Sequence, residues 1–190
     1  MCARPCLGVP YGVSLNPPHR RDRSSAIPRK PAKRKPSKRK AKPSLRVQYA
    51  ALPYRFNADA ALEFLLVTSR QTKRWIIPKG WPIKGLKPAR SAAREAFEEA
   101  GVRGKLGLKP LGAFSYDKML DDNGKVVACE VNVFPLLVRR QSPTWREFAE
   151  RVTQWVEPAK AAAMVKEEGL QKIIAAFTRR LAAAANKAAL

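Results

Sequence analysis

The sequence predicts a mixed α/β fold, a sandwich of helices and sheet rather than a doubly wound parallel sheet. Three observations carry this. Runs that suit strands fall into two groups, separated by a single helical stretch at residues 88–100. Two more helical stretches, AKAAAMV and GLQKIIAAFTRRLAAAA, close the chain. No internal repeat is visible along the 190 residues.

The chain divides into a tail at 1–45, a domain at 46–184 and a C-terminus at 185–190 expected to fray. The tail reads as disordered. Its stretch RKPAKRKPSKRKAKPS alternates Lys/Arg with Pro and holds no apolar residue larger than Ala. Such a segment cannot bury enough surface to offset its ordering entropy.

Order should begin near Leu45. RVQYAALPYRF alternates and is rich in aromatic and β-branched residues, so it predicts a strand. NADAA predicts a turn, and LEFLLVTSR a second, more buried strand. WIIP predicts a short strand that leaves its ladder at Pro78, which has no N–H to donate. Pro88 suits a first helical position and Gly101 the residue just past the end, with Ala92, Ala93, Ala96 and Phe97 on the apolar face. The run up to Leu120 and the run from Val126 read as the two strands of a hairpin around DDNG, residues 121–124. ERVTQWVEP reads as another strand, although Trp145, Phe148, Val152 and Val156 also suit a helix. The final helix is amphipathic through Leu170, Ile173, Ile174, Phe177 and Leu181.

The formal charge is +23, from 38 Lys/Arg against 15 Asp/Glu. Residues 1–46 hold 14 of those bases and one acid, Asp22, so the remainder is basic in its own right. Both parts favour polyanions: nucleic acid, phosphorylated small molecules or an anionic membrane surface. For the tail, a solvated polycation and a non-specific nucleic-acid contact are both open. Three cysteines, Cys2, Cys6 and Cys129, with a single distant His19, form no metal-ligand pattern and predict reduced thiols in a cytoplasmic protein. No apolar run is long enough to span a membrane, and no apolar core of a secretory signal is present near the start. The tail's composition resembles an organelle transit peptide, but Pro17, Pro18, Pro28 and Pro31 argue against an amphipathic helix there.

In this basic chain Glu95, Glu98 and Glu99 crowd one helix at i, i+3 and i+4. Placed so, they project from one side and repel one another. Two arrangements relieve the repulsion: a surface helix paired with Arg94 and Arg103, or a hard divalent cation with oxygen ligands.

The wider stretch GWPIKGLKPARSAAREAFEEAGV resembles the Nudix box, G-x5-E-x7-R-E-U-x-E-E-x-G-U, with U a bulky aliphatic residue. Gly80 opens it, Arg94–Glu95 and Glu98–Glu99 supply its RE and EE pairs, and Gly101–Val102 close it. Two positions depart: Leu86 replaces the early Glu, and the small Ala96 occupies U. The preceding WIIPKG is similar to diphosphoinositol polyphosphate phosphohydrolases within that family. The resemblance implies an α/β/α sandwich with a mixed sheet and a loop–helix–loop metal site. It implies a pyrophosphohydrolase, acting on phosphorus-containing anhydrides with Mg²⁺ or Mn²⁺. The diphosphate cleaved would sit in a nucleoside diphosphate linked to another group, a dinucleoside polyphosphate or a diphosphoinositol polyphosphate. Glu95, Glu98, Glu99 and the Gly80 carbonyl would then bind metal. Glu98 would also activate water, and Arg94 would support it by holding the glutamates. Arg70, Lys73, Arg74, Lys79, Lys84 and Lys87 supply a positive approach for a phosphate-rich substrate, and Trp81 or Tyr116 could stack on a base. Glu130 reads either as an ordinary residue on the polar face of its strand or as a further acidic ligand. Two other functions fit the same residues: an RNA 5′-end pyrophosphohydrolase, or a binding module with weakened catalysis.

Overall fold

A computed structural model describes residues 45–119 and 126–188. The predicted tail, with Cys2 and Cys6, and the DDNG turn lie outside these residues. Eight strands form one sheet: β1 (Arg46–Phe56), β2 (Leu62–Thr68), β3 (Trp75–Ile76), β4 (Lys79–Gly80), β5 (Val102–Leu106), β6 (Gly112–Met119), β7 (Val126–Gln141) and β8 (Thr153–Val156). Helix α1 spans Pro88–Ala100, α2 Pro158–Met164 and α3 Glu168–Ala188. The main order is β3-β2-β1-β7-β5, with β4 on β1, β6 on β7 and β8 on β2. The β1–β7 pair is parallel and the others are antiparallel, so the sheet is mixed as expected.

Both faces of the sheet are covered. Ala161 of α2, Val165 just after it, and Leu170, Ile174 and Phe177 of α3 pack with Leu52, Phe64, Leu66, Val131 and Val133. Ala89, Ala92, Ala96 and Ala100 of α1 pack with Ala51, Leu65, Val67, Phe134 and Leu136. Successive β2 residues thus enter different cores, which is why the strand is an unbroken apolar run. Cys129 is a buried free thiol within β7.

Four local readings are refined. The run before DDNG holds two strands, β5 and β6, and both pair with the 16-residue β7. The segment at 146–150 turns, and β8 begins only at Thr153. The chain leaves β3 near Pro78 and at once joins β1, with Tyr49 opposite Gly80. In α1 the buried face is Ala89, Ser91, Ala92, Ala96, Glu99 and Ala100. Phe97 and Ala93 are only half-buried, because a helix lying this close to the sheet admits small residues. Phe97 instead stacks under the guanidinium of Arg103, 3.8 Å from its ring centre.

Candidate active site

Helix α1 is delimited as its sequence dictates. Pro88 stands at its first turn, where a missing N–H costs nothing. Gly101 ends it in the left-handed region, φ 70°, and its N–H bonds back to Phe97 and Ala96 carbonyls. The last carbonyls of a helix need partners from elsewhere. Gln141 Nε2 donates to Ala100 O, Trp145 Nε1 to Glu99 O and Glu147 N–H to Glu98 O, each at 3.1 Å. The Trp145 ring lies over Gly101, where any Cβ would collide with it. These bonds seat the 141–147 segment on the end of α1 and set where Glu147 lies.

The glutamates of α1 do not share one environment. Glu99 points inward and is 5% exposed. One of its oxygens meets the buried guanidinium of Arg151, and the other accepts from the Lys79 N–H at 3.3 Å. Glu95 is half-buried, its carboxylate pressed against Gly80, where a Cβ would overlap it. Glu98 lies at the rim, held by Arg94 and by Arg146. Burial raises the Glu99 pKa to about 7 against the attraction of Arg151 and Lys79. Burial, then the charges of Glu98 and Glu147, raise that of Glu95. The Arg94 hydrogen bond holds Glu98 below the usual range. Burial lowers Lys79 to about 8, although Glu99 beside it pulls the other way.

A cavity of about 950 Å³ gathers these groups. Gly80, Glu95, Glu99 and Glu147 line it together with Arg70, Arg74, Lys79 and Lys118. Two of its aromatic rings carry cations on their faces. Lys118 and Arg46 lie 4.6 Å and 5.7 Å from the Trp81 ring, and Lys79 and Arg74 lie 5.2 Å and 5.8 Å from the Tyr116 ring. The Tyr116 hydroxyl donates to Gln48 at 2.7 Å, and Arg74 pairs with Glu167 at 2.6 Å.

Of the residues singled out in the sequence, Gly80, Glu95, Glu99, Arg70, Arg74, Lys79, Trp81 and Tyr116 line this cavity. Arg94 and Glu98 pair with each other at its edge and do not line it. Lys84, Lys87 and Leu86 are exposed on the loop before α1 and also lie off the lining. Lys73 donates to the Glu150 carbonyl instead. Glu130 sits in register between Val47 and Ser115 and does not reach the cavity. Glu147, Arg151, Lys118 and Gln48 were missed. Glu147 and Arg151 stand at i and i+4 in REFAER, a visible charge pair. Lys118 and Gln48 become neighbours of the site only through pairing on the two sides of β7.

Among the described residues, no three acidic side chains are already gathered as a ready-made metal cluster. Arginines hold Glu98, Glu99 and Glu147, each in its own bond. The donor set nevertheless fits a hard divalent cation. It is all oxygen, and Glu95 has no cation bonded to it among the described residues while other carboxylates crowd it.

Residues 46–180 match the family model described as the NUDIX domain. The chain is 31% identical over 138 residues to Nudix hydrolase 21, chloroplastic, of Arabidopsis thaliana, covering 68% of this chain and 64% of that one. It is 45% identical over 64 residues to diphosphoinositol polyphosphate phosphohydrolase 3-beta of Bos taurus, covering 33% and 38%. The alignments to the first two plant relatives thus span less than two thirds of those proteins, 64% and 59%. The fold matches a C. elegans Ap4A hydrolase binary complex with TM-score 0.55 at 20% identity, covering 73% of this chain and 99% of that one. It matches the NUDIX domain of Shewanella oneidensis NrtR, complexed with ADP ribose, with TM-score 0.54 at 19% identity, covering 74% and 92%. At such identities these two likenesses establish the fold alone. Together with the box at residues 80–102, the match over 46–180 means that the chain belongs to the NUDIX domain family.

Proposed function

We propose that the protein hydrolyses a diphosphate linkage in a small, phosphate-rich molecule, with Mg²⁺ or Mn²⁺ as cofactor. One observation carries this reading: a single cavity lined both by carboxylates, Glu95, Glu99 and Glu147, and by cations, Arg70, Arg74, Lys79 and Lys118. Carboxylates alone would repel a phosphate substrate, and cations alone would bind it without reaction. Bound by Glu95, Glu98, Glu99 and the Gly80 carbonyl, the cation would neutralise phosphate charge and acidify a water. Glu98 would accept a proton from that water, and Arg94, bonded to it, holds its orientation. Lys79, Arg74 and Lys118 hold the non-reacting phosphates; Lys84 lies off the cavity lining and would reach only a large substrate.

The Trp81 and Tyr116 rings both carry cations, so they favour a phosphorylated group over a nucleobase. That supports a diphosphoinositol polyphosphate or the phosphate chain of a dinucleoside polyphosphate as substrate. No helix of the described residues is long and apolar enough to cross a membrane. A nucleic-acid contact through residues 1–45 rests on their charge. No compartment is part of this reading, because the named plant relative is chloroplastic.

The test is turnover with Mg²⁺ or Mn²⁺ on nucleoside triphosphates, dinucleoside polyphosphates, nucleotide sugars and diphosphoinositol polyphosphates. Glu98→Gln is run beside the unaltered chain and should lower kcat by about 100-fold or more, the usual scale of a lost general base. Absence of metal-dependent turnover on every substrate would defeat the proposal and turn attention to RNA 5′ ends or to binding without catalysis.

A further inference from the structure

Arg151 lies outside the box, yet it is among the few charged residues buried in the described residues, its side chain 6% exposed. All three of its nitrogens are used. NH2 donates to Glu99 on α1, Nε to Glu147 on the turn before β8, and NH1 to the Thr68 carbonyl at the end of β2, at 2.8 Å. The next residue is fastened too: the Val152 N–H donates to Thr68 Oγ1 at 3.0 Å. One rigid fork that lines the cavity therefore joins three separate elements.

We propose that Arg151 is a positioning residue for the candidate metal site. It acts by holding the Glu147 carboxylate beside that of Glu99, so that the turn at 146–150 becomes part of the site. Resting on the reading above, this adds Glu147, which lines the cavity with Glu95 and Glu99, to the machinery that receives the cation. A planar guanidinium can serve three acceptors that lie in different directions, whereas an ammonium is a single point of charge. Its burial keeps water from competing for those bonds. The opposite view is that Arg151 only neutralises Glu99. On that view any cation at position 151 would do, and Glu147 would be dispensable.

Charge and geometry are separated by Arg151→Lys, which keeps the positive charge and loses the fork. The readout is Mn²⁺ affinity by electron paramagnetic resonance on the full chain, well below its unfolding temperature, with kcat and KM measured in parallel. Arg151→Lys and Glu147→Gln are each expected to weaken Mn²⁺ binding about ten-fold, the scale of lost support around a metal ligand. The double variant should lose less than the product of the two, because the side chains act together. The loss should fall mainly on kcat, since neither residue is among the phosphate-holding cations. Unchanged Mn²⁺ affinity in Arg151→Lys overturns the proposal. Should that variant fail to fold, Glu147→Gln decides: it leaves the Arg151–Glu99 pair in place, and wild-type Mn²⁺ affinity there also overturns it. If the unaltered chain neither binds Mn²⁺ nor turns over substrate, the failure belongs to the proposed function and not to the role of Arg151.

Discussion

Glu99 and Glu95 show what burying a carboxylate costs. Both have pKa values raised by burial, Glu99 from 4.5 to about 7. A group whose folded pKa lies above its unfolded one holds its proton more tightly in the native state. Its ionisation therefore destabilises the fold, and stability falls as pH rises between the two values. Metal-free protein should lose stability between about pH 4.5 and about pH 7 through Glu99, with Glu95 acting in the same direction. Mn²⁺ should flatten that slope, since it binds only the ionised form. Urea unfolding across this window, with and without Mn²⁺, measures both. A stability that rises through the window without metal would show that the ion pair with Arg151 outweighs burial.

The element that organises the site is α1 together with the segment seated on its end. Its C-terminal carbonyls are bonded by Gln141, Trp145 and Glu147, so the helix end is a docking point as well as a terminus. Gly101 makes that possible twice over, through its left-handed backbone and through the space it leaves for Trp145. Gly101→Ala should destabilise the protein by about 2 kcal/mol or more, combining left-handed strain with a displaced ring. It should also lower Mn²⁺ affinity, because Glu147 is carried on the same segment. Equilibrium unfolding and Mn²⁺ binding check the two parts. A stability loss with wild-type Mn²⁺ affinity would separate the seating of Trp145 from the site.

Across the whole molecule, the excess of positive charge and the cations of the cavity act in the same direction on an anionic substrate. Lys79 adds a pH dependence. Its pKa is lowered to about 8, chiefly by burial, so it loses charge above that pH. KM for a phosphate-rich substrate should rise above about pH 8, and Lys79→Gln should remove that rise. KM should also rise with salt as the field is screened, more steeply for the substrate with more phosphates. Initial rates over pH and ionic strength measure both effects. A KM insensitive to either would place the substrate's phosphates away from Lys79.

Much of this protein is legible along the chain, because the features concerned are local. The limits of α1 follow from Pro88 and Gly101, each acting on its own turn of backbone. The strands β1 and β2 follow from apolar runs, and the box from residue spacing within 80–102. What the tertiary structure decided are relations between distant segments. Helical spacing put Glu95, Glu98 and Glu99 on one side of α1, but only packing against the sheet turned Glu99 inward and left Glu98 at the rim among arginines. Lys118 and Gln48 reach the cavity through their register on β7, which no local pattern encodes. Arg151 meets Glu99 across 52 positions and Thr68 across 83. Periodicity determines which residues share a face, and only the closing of the fold determines what that face meets.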